Sequence, residues 1–92
     1  MRITGDELER ARAATENLLE ELGVEAYLFQ VEPRDGHWEV GVECAVRQGW
    51  QRTVLRAGRE RLLESWEQGE IRDALLEEWG RELEDCRKEG GG

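Results

Sequence analysis

The chain predicts an α+β fold: a three-stranded antiparallel meander with helices on one face, in the order α-β-β-β-α-α. Three observations carry this. A period-two apolar pattern runs through Tyr27, Phe29 and Val31, then through Trp38, Val40, Val42, Cys44 and Val46. Such alternation marks half-buried strands. A shorter run, Trp50 to Leu55, follows the dipeptide Gln48-Gly49. Helical periodicity flanks this block on both sides.

The first helix starts at a capping box, Thr4-Gly5-Asp6-Glu7. There the Thr4 hydroxyl can accept the Glu7 amide while the Glu7 carboxylate reaches back. Leu8, Ala11, Thr15, Leu18 and Leu22 recur at helical spacing, and Leu19 widens the stripe. Asp6 and Arg10 stand at pairing distance on one face. Gly23 follows the last leucine of the stripe, where a left-handed C-terminal cap belongs.

Strand one is expected over about 25–32. The four residues Pro33-Arg34-Asp35-Gly36 supply turn chemistry. Taken as a four-residue loop, they set Glu32 against His37 and Val31 against Trp38. Every large apolar residue of both strands except Leu28 then falls on one face. Gln48-Gly49 reads as a two-residue turn into strand three, about 50–56. Cys44 then pairs with Thr53 and Val42 with Leu55. A slip of one residue would exchange Trp50 and Val54 for Gln51, Thr53 and Leu55, so the pattern alone leaves this register open.

Beyond Gly58 the period is helical again. Leu62, Leu63 and Trp66 form a short patch, and Ile71, Ala74, Leu75, Trp79, Leu83 and Cys86 a longer one on a second phase. Two helices follow, about 59–67 and 70–88, bent at Gly69. Gly80 weakens the longer helix by about 1 kcal/mol relative to alanine, and the spacings Glu77–Arg81 and Glu84–Lys88 offset part of this. The expected core is Leu8, Leu18, Leu22, Tyr27, Phe29, Val31, Trp38, Val40, Val42, Leu62, Trp66, Ile71, Leu75, Trp79 and Leu83. The organisation is one domain over 1–89, followed by a glycine tail, Gly90-Gly91-Gly92.

Among the 92 residues, 22 are Asp or Glu and 13 are Lys or Arg, for a net charge of −9. That field opposes phosphate backbones, whose binding depends on cations displacing counterions. It equally disfavours anionic membranes. The amino terminus turns polar at once, and no apolar run approaches the ~20 residues a spanning helix requires. The expectation is a cytoplasmic protein in which Cys44 and Cys86 are reduced, buried thiols.

Chemistry-bearing constellations are sparse. His37 is the single histidine, and no Cys-x-x-Cys or His-x-x-x-His spacing occurs, so no zinc ligand set and no metal site is expected. Carboxylate pairs such as Asp73 with Glu77, or Glu78 with Glu82, read as a solvated helix face. Ser65, the single serine, has no histidine near it in sequence, and Cys44 alternates with valines that point into the core. No phosphate-cradling glycine motif is present. No cofactor is implied, and no catalytic residue is assigned. The order helix–strand–strand–strand–helix is similar to that of double-stranded RNA-binding domains. Those domains place basic residues at the start of their final helix, where this chain has Glu70, Asp73, Glu77 and Glu78. RNA binding in that mode is not expected.

Trp38, Trp66 and Trp79 fall on apolar stripes, whereas Trp50 shares the opposite sheet face with Ala26, Leu28, Ala45 and Val54, beside Arg47 and Arg52. Arginine stacked on an indole is a common interface anchor. The expected function is therefore a small acidic interaction module. It would bind itself or a protein partner through the open sheet face, using Leu28, Trp50, Arg52 and Val54, or through an edge strand. Two other readings remain: an acidic regulator or nucleic-acid mimic that fills a basic groove, and an enzyme with an unrecognised carboxylate site.

Overall fold

The computed structural model describes residues 5–24, 27–46 and 49–86. Its elements run α1 (Gly5–Glu21), β1 (Tyr27–Arg34), β2 (His37–Val46), β3 (Gly49–Gly58), α2 (Arg59–Glu64) and α3 (Gly69–Glu82), with a closing 3₁₀ turn at Glu84–Cys86. The strands form one antiparallel sheet in the order β1-β2-β3. This is the α+β meander that the alternating pattern predicts.

Burial divides the sheet cleanly. The buried strand residues Val31, Trp38, Val40, Val42, Cys44, Leu55 and Ala57 all lie on one face. They join Ala11, Leu18 and Leu19 of α1, Leu62 of α2, and Leu75 and Trp79 of α3 in one core. Leu8, Tyr27, Phe29 and Ile71 pack against that core while only partly buried. None of the described residues on the other face is buried. The helices therefore cover one side of the sheet, and the second side is bare.

Both hairpins differ in register from the sequence expectation, each by two residues. Arg34 pairs with His37, so Asp35 and Gly36 alone make the first turn, and Val31 faces Val40 rather than Trp38. Gly36 has φ +78°, a conformation glycine adopts without steric cost. Asp-Gly is a favoured two-residue hairpin turn, and here it prevails over a longer loop opened by Pro33. In the second hairpin Val46 pairs with Gly49, and Cys44 faces Gln51 rather than Thr53. The Gln48 of the expected turn lies outside the described residues. An even shift preserves the side of the sheet each residue occupies, so the face assignments survive.

The first helix ends as its glycine implies. Gly23 (φ +76°) donates its N–H to the Glu20 carbonyl at 3.0 Å, and Val24 donates to Leu19 at 3.1 Å. These are the two bonds of a Schellman cap. Thr15, buried in the middle of α1, donates its hydroxyl to the Ala11 carbonyl at 2.8 Å. At the other end, Thr4 lies outside the described residues. Glu7 accepts two hydrogen bonds from the Arg59 side chain, at 2.6 Å and 3.1 Å. Arg59 is also held through its backbone: its N–H donates to Gly36, and its carbonyl accepts the Trp38 indole N–H at 3.1 Å. This residue thus locks α1, the first turn and the β3–α2 corner together.

Trp66 is a correction. It is 54% exposed, because α2 stops at Glu64 and the chain turns before the helical phase reaches it. The last helix is also shorter than its apolar stripe suggests. It ends at Glu82, and the 3₁₀ turn that follows carries Cys86 onto β2. There Cys86 is bonded to Cys44, with the Cα atoms 5.6 Å apart. The expectation of two reduced thiols is overturned. Both sulfurs are buried as predicted, but as one cystine that ties the last element to the central strand.

Candidate functional site

The bare face of the sheet is a grid defined by the strand register. Its rows are Ala45–Trp50, Leu28–Glu43–Arg52, Gln30–Gly41–Val54 and Glu32–Glu39–Arg56, closed at one end by Arg34–His37–Gly58. The four residues expected at a partner surface, Leu28, Trp50, Arg52 and Val54, all lie on it. Leu28 is 63% exposed, Trp50 64% and Val54 47%. Of the four exposed large apolar side chains among the described residues, three are here, and Trp66 is the fourth. Ala26 and Arg47, also expected nearby, lie outside the described residues.

Gly41 shapes the centre of the grid. A methyl group added there would meet the Arg52 guanidinium at 3.3 Å, so Arg52 lies across bare backbone rather than standing away from the sheet. The result is an open depression of about 280 Å³ beside Leu28, Gln30 and Glu43. Sequence reasoning missed this hollow. Its signal was available, since a glycine inside an alternating strand marks a site where another group approaches closely.

Charge on the face is unevenly spread. Its carboxylates, Glu32, Glu39 and Glu43, stand on β1 and β2 alone, while the charges of β3 are both arginines, Arg52 and Arg56, and Arg34 closes the end of β1. At the closed end, Arg34 bridges Glu32 at 2.6 Å and Glu39 at 2.7 Å. The hydrogen bond to Glu32, together with the nearby Glu39 charge, raises the Arg34 pKa above its ordinary value. Three carboxylates thus meet three guanidinium groups, and the described part of this face is neutral. The surplus of a chain at −9 therefore lies elsewhere.

The two sheet edges are less open than the face. Pro33 on β1 has no N–H to offer an added strand. On β3 the Arg56 carbonyl accepts the Trp79 indole N–H at 3.5 Å, and α3 runs alongside with Glu78 and Arg81.

Among the described residues, no cluster of three or more His, Cys, Asp or Glu is placed to hold a metal ion. Buried side-chain polar atoms of the described residues all have partners, Ser65 included, whose hydroxyl donates to the Leu62 carbonyl at 2.7 Å. On the helical side, burial lifts the Tyr27 phenol above its ordinary range, and Glu16 and Glu20 push it the same way. Among the described residues, no hydrogen bond pairs a nucleophile with a base.

The two faces of β3 make a direct test of its parity. Trp50→Ala should change unfolding free energy by no more than about 0.5 kcal/mol, as an exposed substitution does. Leu55→Ala, on the buried face, should cost about 2–5 kcal/mol. Urea unfolding followed by circular dichroism separates the two; equal losses would place Trp50 in the core.

No described helix is long and apolar enough to cross a membrane. Compared with protein-family models, curated proteins and solved structures, the chain matches none of them.

Proposed function

We propose that this chain is a small non-catalytic protein-interaction module whose contact surface is the bare face of its sheet, with Leu28, Trp50, Arg52 and Val54 as contact residues. The observation that carries this reading is the gathering of three exposed large apolar side chains on a side that no helix covers. Single exposed apolar residues are ordinary, whereas three large ones on one uncovered face, interleaved with Glu43 and Arg52, give the mixed apolar and polar character of an interaction surface. The neutral charge of the face supports it as well. Charged residues that balance one another can be desolvated by a partner at less cost than a single-sign field.

Face recognition is favoured over strand addition, since Pro33 and Trp79 both obstruct the edges. Nucleic acid and membrane surfaces are poor partners for a chain at −9. The Cys44–Cys86 bond weighs against the cytoplasmic location expected from the sequence, because such bonds persist in oxidising compartments.

A photo-crosslinking side chain placed at position 50, with a control at position 66, tests the reading in the native host. Both tryptophans are more than half exposed, yet Trp50 alone belongs to the sheet face. Discrete protein adducts at 50 and none at 66 are expected. Equal labelling at both, or none at 50, would remove the face from consideration.

A further inference from the structure

We propose that the occupant of the bare sheet face is a second copy of this chain, stacked face to face about a two-fold axis parallel to the strands. The inference rests on the interaction-module reading and names its partner. Its basis is the confinement of the carboxylates of this face to β1 and β2, opposite a β3 whose charges are both arginines.

A symmetric interface must be complementary to itself. Two in-plane axes bring copies of this face together, and they differ in what they superpose. An axis across the strands lays β3 on the partner's β3, setting Arg52 against the partner's Arg56. Like charge then meets like. An axis along the strands lays β1 on the partner's β3 instead. Glu32 then meets the partner's Arg56, Leu28 meets the aliphatic stem of the partner's Arg52, and Gln30 meets the partner's Val54. Symmetry makes each contact twice.

The residues near this axis fit the arrangement. Glu39 and Glu43 both lie on β2, so this axis sets each close to its own symmetry mate; Arg34 bonds Glu39 at 2.7 Å and Arg52 stands directly opposite Glu43 on the neighbouring strand, which offsets the repulsion. Gly41 also lies on β2, so two hollows face one another and leave room for the Arg52 side chains that lie across them. Sheets packed face to face sit about 10 Å apart, and the roughly 30° crossing usual for twisted sheets inclines this axis by about 15° from the strand direction, which keeps central rows in contact.

The size of the face sets the strength. Strands of ten residues, about 4.8 Å apart, present roughly 14 by 33 Å, so two copies bury on the order of 1,000 Å² in all. That is the low end for specific association. The dimer is therefore reversible and concentration-dependent.

Sedimentation velocity of the full chain across a concentration series tests the proposal, using wild type, Arg56→Glu, Glu32→Arg and an equimolar mixture of the two variants. Both side chains are exposed, and far-UV circular dichroism verifies that each variant is folded. Wild type should show a monomer–dimer equilibrium. Each single reversal places like charges together twice and should weaken dimerisation about tenfold or more. The mixture should restore association to near the wild-type level, because each variant then meets its opposite charge. Wild type that dimerises while the reversals have no effect, or a mixture that is not restored, would overturn the proposed axis and surface. Wild type that remains monomeric into the millimolar range would overturn self-association. In that event, crosslinks at position 50 to a different protein would leave the interaction-module reading standing, and an absence of crosslinks would end both.

Discussion

Trp38→Ala is expected to leave the chain at the edge of folding. Trp38 is fully buried on the central strand, between Pro33 of β1 and Ala57 of β3. Removing a buried tryptophan side chain costs about 3–5 kcal/mol through lost burial and an unfilled cavity. The substitution also takes the indole N–H from the Arg59 carbonyl, which adds on the order of 1 kcal/mol if the carbonyl stays buried. Domains have about 0.05–0.15 kcal/mol of stability per residue, so a loss of this size consumes much of what a chain of 92 residues possesses. The effect should also spread, since Arg59 joins α1 to the first turn through Glu7 and Gly36. Trp38→Phe keeps most of the volume, loses the donor and part of the ring system, and should be clearly milder. Chemical unfolding by circular dichroism checks both. A Trp38→Ala midpoint near that of wild type would mean that the central strand does not sit at the heart of the core.

How much of this was legible in the sequence depends on which physical property each feature rests on. The side of the sheet a strand residue occupies is a matter of parity, and parity was written in the alternation of Tyr27, Phe29 and Val31 with their neighbours. It survived a register shift of two residues in each hairpin. Turn length itself was not legible, because Pro33 and Asp35-Gly36 both carry turn chemistry and only their competition decides. The Gly23 cap was legible for the opposite reason: it is local, and one left-handed residue completes it. Trp66 was misplaced because periodicity assumes that a helix continues, and α2 ends too soon to carry that side chain inward. At the candidate site, the exposure of Leu28, Trp50 and Val54 followed from parity. The sorting of Glu32, Glu39 and Glu43 from Arg52 and Arg56 did not, since it emerges only when three strands are laid side by side. Nor did pairing of the cysteines, which needs the 3₁₀ turn after Leu83 to bring two distant positions together.

Reduction of Cys44–Cys86 is expected to lower stability by about 2–4 kcal/mol, the usual range for a native cross-link. The bond spans 42 residues of chain. In the chain-entropy account, a closed loop of that length restricts the unfolded ensemble by about 4 kcal/mol at 25 °C. The loss should begin locally, because the bond fastens the last element of the core to the middle strand. Without it, among the described residues the 3₁₀ turn is held against β2 by the burial of Leu83 and the two sulfurs. Segments held by few buried contacts open before the whole fold does. Proteolysis of reduced protein should therefore cut first beyond α3, at conditions where oxidised protein resists. Both sulfurs are buried, so reductant should act slowly on folded protein and quickly once denaturant opens it. Cys86→Ser separates cross-link from packing, because it breaks the bond and leaves the Cys44 thiol in place as a small apolar group. Its stability should match that of reduced wild type within about 1 kcal/mol, the scatter expected when one buried group is exchanged for another. Thiol labelling under denaturing, non-reducing conditions should modify neither cysteine. Labelling of both, with no change in unfolding midpoint on adding reductant, would mean the two sulfurs are neighbours that never join, and the last element would then owe its place to packing alone.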